Sequence, residues 1–406
     1  MHHYILKSIK RQKSRSILVI LVNCALVILL NLYFGLIGSY RTQLYDLAAN
    51  TPIKCTVTNP DGTREVAISI SSDLIRALQE SEHVKGLDCS TQLKAGFGEF
   101  EQAYWEENLN LDVSAVNKSN SSVLPEGITV HYLDGWDETM FAGDEKVCIL
   151  KKSDMEKQGY ACGDEIDFTV YYYVYDDVKM DVYLPELGYV HMKIVGEIDD
   201  SDSVILGECP DVLMPFQTAW ALFEERQIDF TAEAVSFYIK NPLKINAFKD
   251  EMSEIGFTEI YKGGRPSYTG STLYVQDGTF ITLASRLKTA IRILSAFLVP
   301  MAILIFIVGY VISYLLCSGR VKEFALLRSL GVKQFGTVAV FWSEQMLLVL
   351  GGNVLGCLTA LFVGRLGIKE IVMICETGFC GYMLGATVAL LLLAGKAPLR
   401  LFLAQQ

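Results

Sequence analysis

The sequence predicts a membrane protein with four transmembrane α-helices in a 1+3 arrangement, and a large α+β extracytoplasmic domain inserted between helices 1 and 2. Three observations predict it. Four runs carry at most one charge and are long enough to cross a bilayer, which takes about 20 apolar residues. A long stretch of mixed, soluble character separates the first run from the second. The charge is also segregated: 42 of the 46 acidic residues lie between Tyr40 and Lys288, with 21 of the 35 basic ones. An acidic compartment beside apolar runs with basic flanks describes a chain that lives in two media.

Residues 1–15 are basic, and Tyr4–Arg15 has the pattern of a cytoplasmic amphipathic helix with Ile5, Leu6 and Ile9 on one side. It reads either as a helix on the inner leaflet or as a charge cluster that only fixes orientation. The first span is 16–40. Its apolar core is too long for a signal peptide, and no small-x-small cleavage site follows it. The extracytoplasmic domain takes 41–288. Within it Cys55–Val57 and Glu65–Ile70 are strand-like around the turn Asn59-Pro60-Asp61-Gly62. Asp73–Gln79 reads as a helix capped by Ser71 or Ser72, and Asn117–Ser122 as a polar loop. Lys146–Val174 reads as strand, helix, Gly-Asp turn and strand; His191–Ile198 makes another strand after a turn near Pro185.

Helices are expected at both ends of this domain. The first span continues through Ser39–Asn50. At the other end Phe280, Leu283, Leu287, Ala290, Leu294 and Phe297 recur at spacings of three and four, a seam running unbroken into the second span, 289–316. It reads as a motion-transmitting stalk or as ordinary packing of a juxtamembrane helix.

The loop 317–334 contains a short charged helix, Val321–Leu330, ended by Gly331, a residue suited to a left-handed cap. The third span, 335–364, carries only Glu344; a short external loop, 365–376, leads to the fourth, 377–395, and the tail 396–406. Glu344 invites a proton-relay or substrate role, but its place a few turns past Lys333 favours a structural hydrogen bond or charge pair. Gly352, Gly356, Ala360 and Gly364 recur every four residues, as do Gly381, Gly385 and Ala389. Such stripes let helices approach closely in lipid; whether the partner is the same chain or a second copy is open.

Orientation follows from the basic flanks. Lys7, Lys10, Arg11, Lys13 and Arg15 precede the first span; Arg320, Lys322, Arg328 and Lys333 fill the loop after the second; Lys396 and Arg400 follow the fourth. All belong on one side, which puts both termini in the cytoplasm of a multi-pass plasma or inner-membrane protein.

No phosphate loop, catalytic triad or HExxH is present, so no catalytic residue is assigned and the chain is not read as an enzyme. Of ten cysteines, Cys55, Cys89, Cys148, Cys162 and Cys209 lie in the large domain without close pairing. Cys375 and Cys380 flank the expected external turn and could pair, with free thiols the favoured reading. No metal site is expected, and His83, His131 and His191 are scattered singles.

The run Arg320, Glu323, Leu327, Arg328, Leu330, Gly331, then Glu344 and the paired glycines Gly351 and Gly352, resembles the signature of FtsX-like permeases, the membrane subunits of MacB-type (type VII) ABC systems. The external region is similar to the MacB-like core domain at Cys148–Leu150, Gly163–Ile166, Lys193–Ile198 and Asp211–Pro215, followed by a helix over Thr218–Phe223. The match fades over Ala95–Trp136. The resemblance implies a mechanotransmission subunit with no cofactor of its own, ATP and Mg being handled by a partner ATPase. It implies docking of that ATPase on Arg320, Val321, Lys322, Glu323, Phe324, Leu327, Arg328, Leu330 and Gly331, with Arg320, Lys322, Glu323 and Arg328 at the polar contacts. It also implies a second permease, identical or homologous, in a dimer embedded in lipid. Expected substrates are peptides, lipoproteins or lipids, cationic antimicrobial peptides being one case favoured by the acidic exterior. The alternative is an FtsX-like envelope regulator that activates a partner such as a cell-wall hydrolase. Nucleic acid is excluded by the sign of the exterior charge.

Overall fold

The structure is a computed structural model that describes residues 11–100, 109–125, 128–199, 209–261, 267–363 and 368–403. Most of the expected N-terminal amphipathic helix, Gly364, residues 365–367 of the expected loop and the last three residues lie outside these. The chain divides into two compact units. One is Ala48–Ile281; the other joins the N-terminal segment to Leu47 with Thr282–Gln406.

The first unit is α+β. Its main sheet runs, strand by strand, Thr272–Val275, Lys54–Thr58, Ala234–Ile239, Val84–Phe97, Leu111–Val116, Val212–Pro215, Val147–Lys151, Glu186–Asp199 and Thr129–Tyr132. A tenth strand, Glu165–Tyr172, pairs with both Val84–Phe97 and Glu186–Asp199. That double pairing closes a ring of strands. Both partners are 14 residues long, because each changes neighbour along its length. Val84–Ser90 pairs with Ala234–Ile239, for example, while Leu93–Phe97 pairs with Glu165–Tyr172.

Local chemistry sets the elements. Helix Ser72–Glu80 is capped by Ser71, whose Oγ accepts from the Leu74 amide at 3.5 Å, which decides between the two serines. Helix Lys152–Gln158 stops at Gly159, in the left-handed region at φ 77°, where a side chain would be strained. The strand expected at Glu65–Ile70 is reduced to Ile70–Ser71. The reason is Ala67, whose φ of 55° breaks the extended run. On the helix Phe216–Glu225, Phe216, Trp220 and Phe223 pack their rings about Phe230, with centroids 4.9–5.2 Å from it.

Among the described residues, four helices are long and apolar enough to cross a membrane. One precedes the α+β domain and the others follow it: Lys13–Asn50, the run Gly278–Ser318, Gln334–Thr359 and Ile371–Gly395. We label α1 Lys13–Asn50, α2 Gly278–Ala296, α3 Leu298–Ser318, α4 Val321–Ser329, α5 Gln334–Val363 and α6 Ile368–Leu403. Polar side chains buried in α1 turn back on its own backbone. Asn23 Nδ2 donates to the Val19 carbonyl (3.0 Å) and Asn31 Nδ2 to that of Val27 (2.8 Å), since lipid would satisfy neither.

Two expectations are corrected here. The seam into the second span is interrupted at Phe297, between α2 and α3. Pro300 lies three residues on and has no N–H to give the Ala296 carbonyl, so the helix ladder is broken there. The expected external loop is helical from Ile368 onward. Nothing in Ile368–Gly378 breaks a helix strongly enough, and the segment extends α6 at its start. Cys375 and Cys380 therefore flank no turn; Cys375 pairs with Cys357 of α5, and Cys380 is an exposed free thiol.

Candidate coupling joint

The loop between the second and third apolar helices is built around one aromatic ring. Phe341 on α5 is stacked by Phe324 of α4, with ring centroids 4.0 Å apart and planes 6° from parallel. The Arg320 guanidinium lies over the same ring, 4.6 Å from its centroid. Phe324 and Phe341 are buried with Cys317, Val338, Leu390 and Leu393, so α4 is fastened onto α5 and α6 by a small apolar core.

Arg320 stands at the N-cap position of α4. A cation there opposes the helix dipole, and the structure shows what outweighs that cost. Its Nη1 donates to both oxygens of Glu344, at 2.9 and 2.8 Å; Nε and Nη2 donate to Glu323 Oε2, at 3.0 and 2.7 Å. The Arg320 and Glu344 side chains are 7% and 6% exposed, and Glu323 is half-buried. Fork-to-carboxylate pairing of this kind combines charge with fixed geometry. Glu344 is thus held by a charge pair with a residue 24 positions earlier.

The remaining expected docking residues divide by face. Phe324 points inward, and Val321 and Leu327 are half-buried against the same core. Lys322 and Arg328 are exposed, as are Leu326, Leu330 and, at the start of α5, Phe335. Arg320, expected among the outward polar contacts, faces inward; Glu323 divides between Arg320 and solvent. Gly331 ends α4 at φ 84°. Its amide donates to the Arg328 carbonyl (3.1 Å) and that of Val332 to the Leu327 carbonyl (3.2 Å), a Schellman closure.

Among the described residues, Gly352, Gly356, Gly381 and Gly385 of the stripes lie against other helices of this chain. A Cβ on Gly352 would lie 2.6 Å from Asn23 Cβ, and one on Gly356 2.6 Å from Val27 Cβ, so α5 lies directly on α1. A Cβ on Gly385 would meet the Tyr310 amide nitrogen at 2.7 Å, and one on Gly381 would meet Ile305 Cγ2 at 3.2 Å, so α6 lies on α3. Ala389 is fully buried; Ala360 lies within α5. Gly356→Ala and Gly385→Ala are each expected to lower stability by about 1–3 kcal/mol through overpacking. Gly395→Ala, where a Cβ meets nothing within 4 Å, is expected to be silent. Melting of the detergent-solubilised chain checks all three.

On α2, Phe280 is buried and Leu287, Ala290 and Leu294 are half-buried, whereas Leu283 is exposed and its neighbour Ala284 is buried instead. The Tyr33 hydroxyl of α1 donates to the Leu294 carbonyl. Sequence reasoning missed Arg320 as the partner of Glu344. The signal that would have found it is an arginine at a helix N-cap, a position that ordinarily rejects a cation.

Comparison with known proteins adds likeness in structure. No family model and no curated protein matches the chain. The crystal structure of the periplasmic region of MacB from Actinobacillus actinomycetemcomitans is similar over 59% of this chain and 95% of that one, at 11% identity and a TM-score of 0.32. The extracellular domain of YknZ, an ABC-type transporter from Gram-positive bacteria, is similar over 52% and 98%, at 13% identity and a TM-score of 0.30.

Proposed function

We propose that the chain is the permease subunit of an ABC-type transporter of the MacB and FtsX kind, moved by a separate ATPase. The observation that carries this reading is α4. Its inner face is locked to α5 and α6 through Phe324, Phe341 and Arg320, while its outer face offers Lys322, Leu326, Arg328 and Leu330. A short helix held rigidly on one side and bare on the other passes a push from outside the bilayer into the spans. The basic flanks put that face in the cytoplasm, with the α+β domain on the opposite side and both termini inside.

On this reading the ATPase binds ATP and Mg, and its closure displaces α4 and with it α5 and α6. The motion reaches the exterior domain by way of the spans, in a dimer of permeases, for export or extraction of peptides, lipoproteins or lipids. Glu323 is occupied by Arg320, so docking is tested on the exposed residues. Lys322→Glu combined with Arg328→Glu is expected to remove at least tenfold of the Mg-dependent ATP hydrolysis that co-purifies with the tagged chain, with membrane insertion unchanged. Undiminished hydrolysis in the double variant, or labelling of a cysteine at position 322 by an impermeant reagent from the exterior, would overturn the reading.

A further inference from the structure

The α+β domain contains a cavity of about 640 Å³ that the permease reading does not use. Three tyrosines and an acid define it. Tyr173, Tyr175 and Tyr268 form a continuous aromatic wall, with centroids 6.3 Å apart for the first pair and 5.1 Å for Tyr175 and Tyr268. Tyr268 already carries a cation, the Arg64 guanidinium, 4.4 Å from its ring centroid. Glu233 lines the same space and is 5% exposed. Its backbone is fixed on both sides: its amide donates to the Ser90 carbonyl (2.9 Å) and its carbonyl accepts from the Ile68 amide (3.4 Å).

The wall is held in place by a hairpin, Val174–Asp176 with Asp181–Tyr183, in which Tyr175 lies opposite Val182, another lining residue. At its turn Asp177 accepts hydrogen bonds from the Tyr268 amide and from the hydroxyls of Ser267 and Thr269. The hairpin is thereby pinned to the segment that carries Tyr268. The partners of the Glu233 carboxylate are the Tyr175 hydroxyl and the Gln92 amide, both uncharged. The carboxyl is thus buried against aromatic faces with neutral hydrogen-bond partners, while the Arg64 guanidinium that lines the same cavity lies over Tyr268.

We propose that this cavity binds an organic ammonium group on an apolar stem, with Glu233 as its counter-ion and Tyr175 and Tyr268 as its π-faces. The electrostatics agree. Burial pushes the Glu233 carboxyl up to about 8, so at neutral pH the cavity holds a proton that an arriving ammonium would displace. Of the other groups facing this space, Arg64 lies over Tyr268, while burial pushes Tyr173 up to about 12 and Tyr175 higher still; these two stay neutral through the window. Tyr268 completes the set.

The test is calorimetric titration of the full chain in nanodiscs with benzyltrimethylammonium, whose charge is independent of pH, and with N-acetyl-lysinamide as the primary ammonium. Benzyl alcohol serves as the neutral comparison. Either ammonium is expected to bind at least tenfold tighter than the alcohol, which of the two is tighter telling a quaternary headgroup from a lysine side chain. Binding of the quaternary probe should tighten by up to about tenfold per pH unit between pH 6 and 8. Glu233→Gln should weaken it at least tenfold and abolish the pH dependence, and Tyr268→Leu should weaken it while leaving the pH dependence. Equal binding of the alcohol, no binding of either ammonium, or an unchanged affinity in Glu233→Gln would overturn the proposal. No ATPase takes part, so failure here leaves the permease reading standing, and failure of that reading leaves the cavity untouched.

Discussion

Arg320→Ala is expected to cost the helical unit about 3–5 kcal/mol, because it leaves Glu344 charged, buried and without its guanidinium. Glu344→Ala is expected to cost less, because Arg320 keeps Glu323 as a partner. Removing both charges together, as Arg320→Met with Glu344→Leu, is expected to recover most of the loss. Two apolar side chains can pack beside Phe341 and carry no desolvation penalty. The comparison matters more than any single value: a surface ion pair would cost about 0–1 kcal/mol in either single variant. Melting of the three variants in detergent decides it. Near-additive losses, or single losses below about 1 kcal/mol, would show that the pair does not fasten α4. On the permease reading the double variant separates fastening from charge, since it should melt like the parent while keeping the docking face intact.

The second large effect concerns pH and the α+β domain. Glu233 is pushed up to about 8 by burial, whereas a glutamate in an unfolded chain ionises near pH ~4.3. Below the unfolded value both states hold the proton and Glu233 contributes no pH dependence. Between the two values the unfolded chain has released its proton and the folded one has not, so stability falls as pH rises. Above the folded value the loss is complete, on the order of 5 kcal/mol at about 1.4 kcal/mol per pH unit. Glu233→Gln removes that loss. Its advantage over the parent chain is expected to be small at pH 4, to grow through pH 6 and to level off above pH 8. Thermal melts of the full chain followed by tryptophan emission check it, since Trp136 and Trp220 report from the α+β domain. An advantage that does not change with pH would show that the carboxyl is not held neutral by the fold.

These two sites show where a sequence reading stops. Lys146–Val174 was legible as strand, helix, turn and strand, because each choice was local. Val147–Lys151 is a buried run, Gly159 and Gly163 punctuate it, and Glu165–Tyr172 alternates and then turns aromatic. The left-handed end of α4 at Gly331 was legible for the same reason. The strand expected at Glu65–Ile70 failed because a positive φ at Ala67 has no signature in an alanine. The seam failed to run unbroken because one proline, read only as part of an apolar span, outweighed the periodicity around it. The loop expected at 365–376 was bounded by its charges, Arg365 to Glu376, which do not stop a helix, and the chain is helical from Ile368 onward.

The amino-acid order by itself determined which segments seek lipid, which seek water, and where small residues line a helix. Those properties rest on transfer free energies and backbone preferences that act within a few residues of one another. Only the tertiary structure decided that Arg320 reaches Glu344, that Gly356 meets Val27 and Gly385 meets α3, and that Glu233 meets Tyr175 on the wall of a cavity. Each is a contact between elements far apart in the chain. Its existence depends on which helices and strands come to lie side by side, and no local preference of either partner carries that information.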